Sequence, residues 1–153
     1  TLEALPVQPL LEETCRQAQQ IDPERKISLY GADGLTLLGD RDSFKQVMLI
    51  LVDNALKHSS GDVTVSARRW SAASGRKDAE VEIRVQDRGA GIPPEQLEHI
   101  FDRFYRAEEA AGQGFGLGLS IARSLVETQG GTIALESQVG WGSCAILRFP
   151  VPA

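Results

Sequence analysis

The sequence predicts an α+β fold, a two-layer sandwich in which helices cover one face of a mixed, mostly antiparallel sheet. Three observations predict it. The strand-like segments come as neighbouring pairs joined by short turns, not as single strands alternating with helices, which is the pattern of hairpins rather than of βαβ units. One helical stretch, Asp42 to His58, is apolar around so much of its circumference that it must be covered on most sides. The chain has 153 residues, near the commonest domain size and enough for a proper core, so residues 1–153 are read as one domain.

The elements follow in order. Leu5, Leu10, Leu11, Cys15 and Ala18 recur at helical spacing after Pro6 and Pro9, predicting a first helix from Pro9 to Gln20 with Pro23 beyond its end. Lys26 to Tyr30 and Leu35 to Leu38 read as short strands joined around Gly31-Ala32-Asp33-Gly34 as a hairpin. In the helix from Asp42 to His58, Phe44, Val47, Met48, Leu51, Val52, Ala55 and Leu56 are core candidates. Asn54, Lys57 and His58 stand at i, i+3 and i+4 near its end and share one face. A polar, cationic helix end emerging into water would show the same letters.

Asp62 to Trp70 alternates as a strand through Val63, Val65 and Ala67, and Ser71 to Asp78 is small, polar and loop-like. In the next strand Val81, Ile83 and Val85 alternate with Glu80, Glu82 and Arg84, and Asp87 closes it. Gly89 and Gly91 follow, permitting positive φ or a close approach of backbone to something bound. An Asp facing a pocket accepts only, so it wants a donor such as an exocyclic amine. An ordinary Asp-Gly turn is the competing reading of these residues.

Pro93-Pro94-Glu95 opens a short helix to about Ile100, and Phe101 to Arg106 carries two Phe and a Tyr, a high aromatic content for a loop. Ala107 to Gln113 has no apolar periodicity and runs into Gly114-Phe115-Gly116-Leu117-Gly118-Leu119, directly before the helical run Ile121, Leu125 and Val126. A glycine-rich loop opening a helix offers unpaired N–H groups and the positive end of the helix dipole to an anion, most often phosphate. Gly130-Gly131 ends that helix, and Thr132 to Glu136 and Cys144 to Val151 form the last two strands around Val139-Gly140-Trp141-Gly142.

Composition narrows the function. A net charge of −5 leaves no basic footprint for nucleic acid. Cys15 and Cys144 are far apart and in no metal-ligand spacing, which fits a reducing compartment. The longest uncharged apolar run, Val47 to Val52, is far short of the roughly 20 residues of a membrane span. The chain begins with Thr1, so it reads as a piece of something longer. The glycines match neither the dinucleotide-binding fingerprint nor a P-loop.

Taken together, four motifs make the chain resemble the catalytic ATP-binding domain of sensor histidine kinases, with the Bergerat fold of the superfamily that includes gyrase, Hsp90 and MutL. Gln46 to Ser59 looks like the family's N box, Asp87 to Ile92 its G1 box, Ile100 to Arg106 its F box and Gly114 to Leu119 its G2 box. The resemblance implies that Asn54 coordinates Mg²⁺ through its amide oxygen, Lys57 meets the phosphates and His58, where the family commonly has Tyr, lies against the purine. Asp87 would accept from the adenine amine, which guanine does not offer at that position. Gly89, Gly91 and Ile92 would shape the pocket, with Ser143 helping Asp87 through a water. Arg106 matches a phosphate-contacting arginine, Gln113 would lie near the metal, and Gly114, Phe115, Gly116, Leu117, Gly118 and Leu119 would wrap the phosphates.

The implied cofactors are ATP and Mg²⁺. The implied partners are the protein's own dimerisation and His-phosphotransfer domain, met through Phe101, Phe104 and the lid, and a response regulator; neither nucleic acid nor membrane contact is expected of this segment. The acceptor His is expected elsewhere, since His99 precedes the F box within the ATP domain. The expected location is cytoplasmic, as a free protein or as the cytoplasmic part of a membrane-bound sensor.

Two departures matter. Ile50 stands one turn before Asn54, where histidine kinases often carry a second Asn and hydrolysing relatives carry the water-activating Glu. The lid contains Glu108 and Glu109 but no Lys or Arg between Arg106 and Gln113. Modest ATP affinity follows. A degenerate regulatory nucleotide-binding domain and a serine kinase of the anti-sigma type are the alternatives, with an ATPase clamp disfavoured by Ile50. A micromolar or weaker dissociation constant for ATP is expected from equilibrium titration, and a sub-micromolar value would contradict it.

Overall fold

The computed structural model describes residues 1–71, 79–102 and 116–152. The elements are β1 (Glu3–Pro6), α1 (Val7–Ile21), β2 (Ile27–Tyr30), β3 (Thr36–Gly39), α2 (Arg41–Lys57), β4 (Val63–Trp70), β5 (Glu80–Asp87), α3 (Pro94–Leu97), α4 (Gly116–Thr128), β6 (Thr132–Gln138) and β7 (Gly142–Pro150). The main sheet has the order β2-β4-β5-β7-β6, antiparallel except where β2 runs parallel to β4, and β1 pairs with β3 in a separate two-stranded ribbon. This is the α+β class expected, a mixed sheet with its helices packed on it.

Helix α1 begins directly after the extended Pro6. Pro9 falls in its first turn, where a missing N–H leaves no intrahelical bond unmade. Val7, Leu10, Leu11, Thr14 and Ala18 form its buried stripe. Thr14 replaces the expected Cys15 in that stripe and disposes of its hydroxyl by donating to the Leu10 carbonyl at 3.0 Å.

Asp40 caps α2 by accepting from the Ser43 N–H at 3.0 Å, and all seven core candidates of this helix are buried. They pack against the inner faces of β4, β5 and β7, which present Val63, Val65, Val81, Ile83, Val85, Leu147 and Phe149. Phe44 of α2 meets Phe149 edge to face, with centroids 5.5 Å apart, the geometry ring quadrupoles favour.

The expected hairpin around Gly31 to Gly34 does not exist. Ile27 pairs with Val63 and Leu37 with Leu5, so β2 and β3 belong to different sheets. Gly31, at φ +78°, turns the chain so tightly onto β4 that a Cβ there would collide with the Ala67 carbonyl. Helix α2 then supplies the long crossover that a parallel pair requires. Strand β1 escaped the pattern because four residues ending in Pro6 carry too little alternation to read.

Two boundaries also moved. The short helix is only Pro94–Leu97, continued by turns to Asp102 that bury Ile100. Helix α4 starts at Gly116, so Gly116, Leu117, Gly118 and Leu119 form its first turn rather than a loop before it. Their N–H groups are still those that an α-helix leaves unpaired.

The outer sheet face holds a buried carboxylate. Glu82 accepts from Arg68 and Arg84 at one oxygen (3.0 and 2.9 Å) and from Arg148 at the other (3.0 Å), while the Arg148 guanidinium lies 3.7 Å from the Trp70 ring centroid. Burial alone would push the Glu82 carboxyl up, but the three guanidinium groups outweigh it and hold it below the usual range.

Gln129, buried at the end of α4, accepts from the Asp40 N–H and donates to the Leu125 carbonyl, both at 2.9 Å. It ties α4 to the start of α2. Replacing it (Gln129→Ala) leaves the part-buried Asp40 N–H unpaired and is expected to lower stability by about 1–3 kcal/mol, read from a urea midpoint with an unchanged slope.

Candidate functional site

The C-terminal half of α2, the end of β5, the first turn of α4 and the β6–β7 hairpin close around one cleft. Leu51, Asn54 and Ala55 form one wall, Val85 and Asp87 the floor, and Leu119 and Ile92 flank Leu135, Ser143 and Ala145. The lining is apolar except for Asn54, Asp87 and Ser143, a small set of polar groups in a greasy cavity, as ligand sites usually are.

Asp87 is 7% exposed. Its Oδ1 accepts from the Gly89 N–H at 2.8 Å, and its Cα faces Ser143 across the β5–β7 ladder. Burial pushes its carboxyl above the usual range; the Gly89 and Ser143 N–H groups and the charge of Arg25 oppose that without cancelling it. A carboxylate with so few donors is a site waiting for one.

Gly89 and Gly91 do not line the cleft. A Cβ on Gly89 would strike the His58 carbonyl, and one on Gly91, at φ +81°, the Gln138 carbonyl. They serve close packing of this chain on itself, which fixes the turn after Asp87. Ile92 is held by the same hairpin, its N–H donating to Ser137 Oγ at 2.7 Å.

Asn54 reaches the cleft from α2 with its Nδ2 buried and without a hydrogen-bond partner. That nitrogen lies 4.0 Å from where a Cβ of Gly118 would be, and Ile50 Cγ2 lies 3.6 Å from the same point. Asn54 therefore holds an unsatisfied amide beside the first turn of α4. Among the described residues no group of three or more His, Cys, Asp or Glu could hold a metal. A single amide oxygen fits a hard cation brought in with phosphate oxygens, not one held by protein alone.

His58 ends α2, donating its N–H to the Asn54 carbonyl at 3.0 Å. Burial, then the charge of Lys57, lowers its imidazole below the usual range, with Asp53 opposing. Lys57 is more than half exposed and pairs with Asp53 at 2.9 Å, outside the cleft. Phe101 is half-buried against the core, with the Arg123 guanidinium 5.7 Å from its ring centroid. His99 lies between Glu98 at 3.3 Å and Asp102 at 3.0 Å in the turns after α3. Phe104, Arg106, Gln113, Gly114 and Phe115 fall outside the described residues.

Sequence reasoning missed Arg25. Its guanidinium donates to the Leu56 carbonyl (2.8 Å), Ser59 Oγ (2.8 Å) and the Gly61 carbonyl (2.8 Å), closing the end of α2 that carries Asn54 and His58. An Arg in an aperiodic loop, far upstream of the helix it caps, leaves no local signal. Ser137, on β6, was missed because its partner Ile92 lies 45 residues away.

Comparison with known proteins gives a consistent result. The model of the family described as histidine kinase-, DNA gyrase B-, and HSP90-like ATPase matches residues 39–153. The chain is 36% identical over 120 residues to the sensor histidine kinase YkoH of Bacillus subtilis (strain 168), covering 76% of this chain and 25% of that protein. It superposes on the catalytic domain of histidine kinase ThkA with a TM-score of 0.69 and 26% identity, covering 99% of both. A TM-score of 0.82 relates it in fold to full-length ShkA in complex with AMPPNP, at 24% identity over 100% of this chain and 32% of that one. The chain spans about a quarter to a third of the length of the curated relatives it matches.

Because the folded state raises the Asp87 carboxyl, its ionisation opposes folding as pH rises through the folded value, and the penalty vanishes below the unfolded range. Asp87→Asn keeps an oxygen for the Gly89 N–H and removes the buried charge. The expected result is a higher Tm than wild type at pH 7 in the absence of ligand, with the difference closing toward about pH 4; a variant less stable than wild type at pH 7 would contradict this.

Proposed function

Since the chain belongs to the family of histidine kinase-, DNA gyrase B- and HSP90-like ATPases, we propose that it is the catalytic ATP-binding domain of a two-component sensor histidine kinase. In this reading residues 1–153 act as one domain that holds ATP and presents its γ-phosphate to a His on a separate helical domain. The observation that carries the reading is that Asn54 of α2 and Asp87 of β5, distant in sequence, line one apolar cleft beside the N-terminus of α4.

Asp87 accepts from the adenine exocyclic amine, and the apolar walls enclose the ring. Ser143 lies on the same edge of the base and the His58 imidazole, kept neutral, lies toward the purine. The first-turn N–H groups of Gly116, Leu117, Gly118 and Leu119 face the phosphates along the helix dipole. Lys57 adds a point charge once it leaves Asp53, and Arg106, Gln113, Gly114 and Phe115 complete the phosphate side. The Asn54 amide would help hold Mg²⁺, which would supply neutralisation of charge on the transferred group. Ile50, packed beside Gly118 where a water-activating carboxylate would otherwise stand, keeps the bound triphosphate from hydrolysis and reserves it for transfer.

The partners of this domain are the protein's own dimerisation and phosphotransfer domain, docking near Phe101 and Phe104, and a response regulator downstream of it. Its location is cytoplasmic. Among the described residues no helix is long and apolar enough to cross a membrane. A regulatory domain that binds nucleotide without transferring phosphate is the second reading, favoured by Ile50.

The test is to incubate the chain with γ-labelled ATP and Mg²⁺, alone and with the cognate helical domain. Binding without self-labelling, and acid-labile label on the added domain, are expected. Label retained on this chain alone would sink the proposal, no transfer would favour the regulatory reading, and acid-stable label would indicate a serine kinase. Asn54→Ala is expected to weaken Mg²⁺-dependent ATP binding on the order of tenfold or more, the loss of one charge-assisted contact, while adenosine affinity stays unchanged in the same titration.

A further inference from the structure

We propose that Ser137 is a positioning residue that sets the hydrogen-bonding polarity the cleft shows to a nucleobase, by engaging the Ser143 proton; this rests on the nucleotide reading above. A serine hydroxyl has one hydrogen to give and two lone pairs to receive. Ser137 Oγ has three partners: it receives the Ile92 N–H at 2.7 Å, donates to the Gly142 carbonyl at 3.0 Å, and lies 2.8 Å from Ser143 Oγ. A carbonyl cannot donate and an amide N–H cannot accept. The one Ser137 proton is therefore committed to Gly142, and Ser143 is the donor in the pair of hydroxyls.

With its proton spent on Ser137, Ser143 turns only lone pairs toward the cleft it lines. Asp87, directly opposite it in the ladder, also accepts only when ionised. The base edge therefore meets two acceptors side by side. An exocyclic amine satisfies them. A keto oxygen at the same position meets no donor and leaves buried polar groups unpaired, which is a strong source of discrimination. Removing the Ser137 hydroxyl frees the Ser143 proton to swing into the cleft and meet that oxygen.

Affinities for ATP and ITP, which differ at this edge by an amine against a keto group, are measured by equilibrium titration on the 153-residue chain. In Ser137→Ala the preference for ATP over ITP is expected to fall roughly fivefold to tenfold, the worth of one neutral hydrogen bond gained by the keto base. Ser137→Thr keeps the hydroxyl and restores the wild-type ratio. A ratio unchanged in Ser137→Ala overturns the proposal, because a merely structural hydroxyl would weaken both nucleotides alike. Should Ser137→Ala fail to fold, Ser143→Ala decides: it removes the second acceptor, so a reduced ratio supports the proposal and a wild-type ratio overturns it. A wild-type chain that binds neither triphosphate overturns the nucleotide reading itself, and this inference with it.

Discussion

Backbone packed on backbone holds the turn after β5, and the cleft depends on it. At Gly89, Gly91 and Gly142 the volume that a side chain would fill is taken by the carbonyls of His58, Gln138 and Asp87 respectively. The first contact brings in the end of α2, and the other two bring in the β6–β7 hairpin. Three elements distant in sequence thereby meet at Asp87, at separations only glycine allows. Positive φ at Gly91 and Gly142 adds a second reason for the same residue type. Any side chain there would push apart the two walls that bring Asn54 and Ser143 toward Asp87.

Strand β5 carries two buried carboxylates with opposite electrostatics. Glu82, on the outer face, is surrounded by Arg68, Arg84 and Arg148 and held below the usual range. Asp87, five residues on and therefore on the inner face, has only the Gly89 and Ser143 N–H groups and the charge of Arg25 to oppose its burial, and is pushed above the usual range. The first is saturated by its own chain and knits β4, β5 and β7 together. The second is left short of donors beside an apolar cleft. This difference separates an acid saturated by its own chain from one short of donors, although both sit in the same alternating strand.

Much of the architecture was legible in particular residues. The seven apolar positions of α2 are the seven it buries, and the alternation of Val81, Ile83 and Val85 is the inner face of β5. Asn54, Lys57 and His58 stand together at the end of α2, where Asn54 lines the cleft and Lys57 turns to Asp53. Of the two reasons the sequence offers for the glycines after Asp87, positive φ holds at Gly91, and the close approach is to the His58 and Gln138 carbonyls of the chain itself. The short strands were the failure: β2 and β3, adjacent in sequence, were joined as a hairpin, and β1 was unseen.

The sequence by itself determined which residues face inward, where the buried helix lies and that one acid closes a strand before a glycine turn, because periodicity and turn chemistry are local and written every two to four residues. Only the tertiary structure decided that β1 pairs with β3, β2 with β4 and β5 with β7, that Arg25 closes α2, and that Ser137 receives the Ile92 N–H. Those contacts join segments about 30 or more residues apart. Their partners are chosen by packing and by the need to satisfy buried N–H and C=O groups, a condition on the whole chain that no short window of residues records.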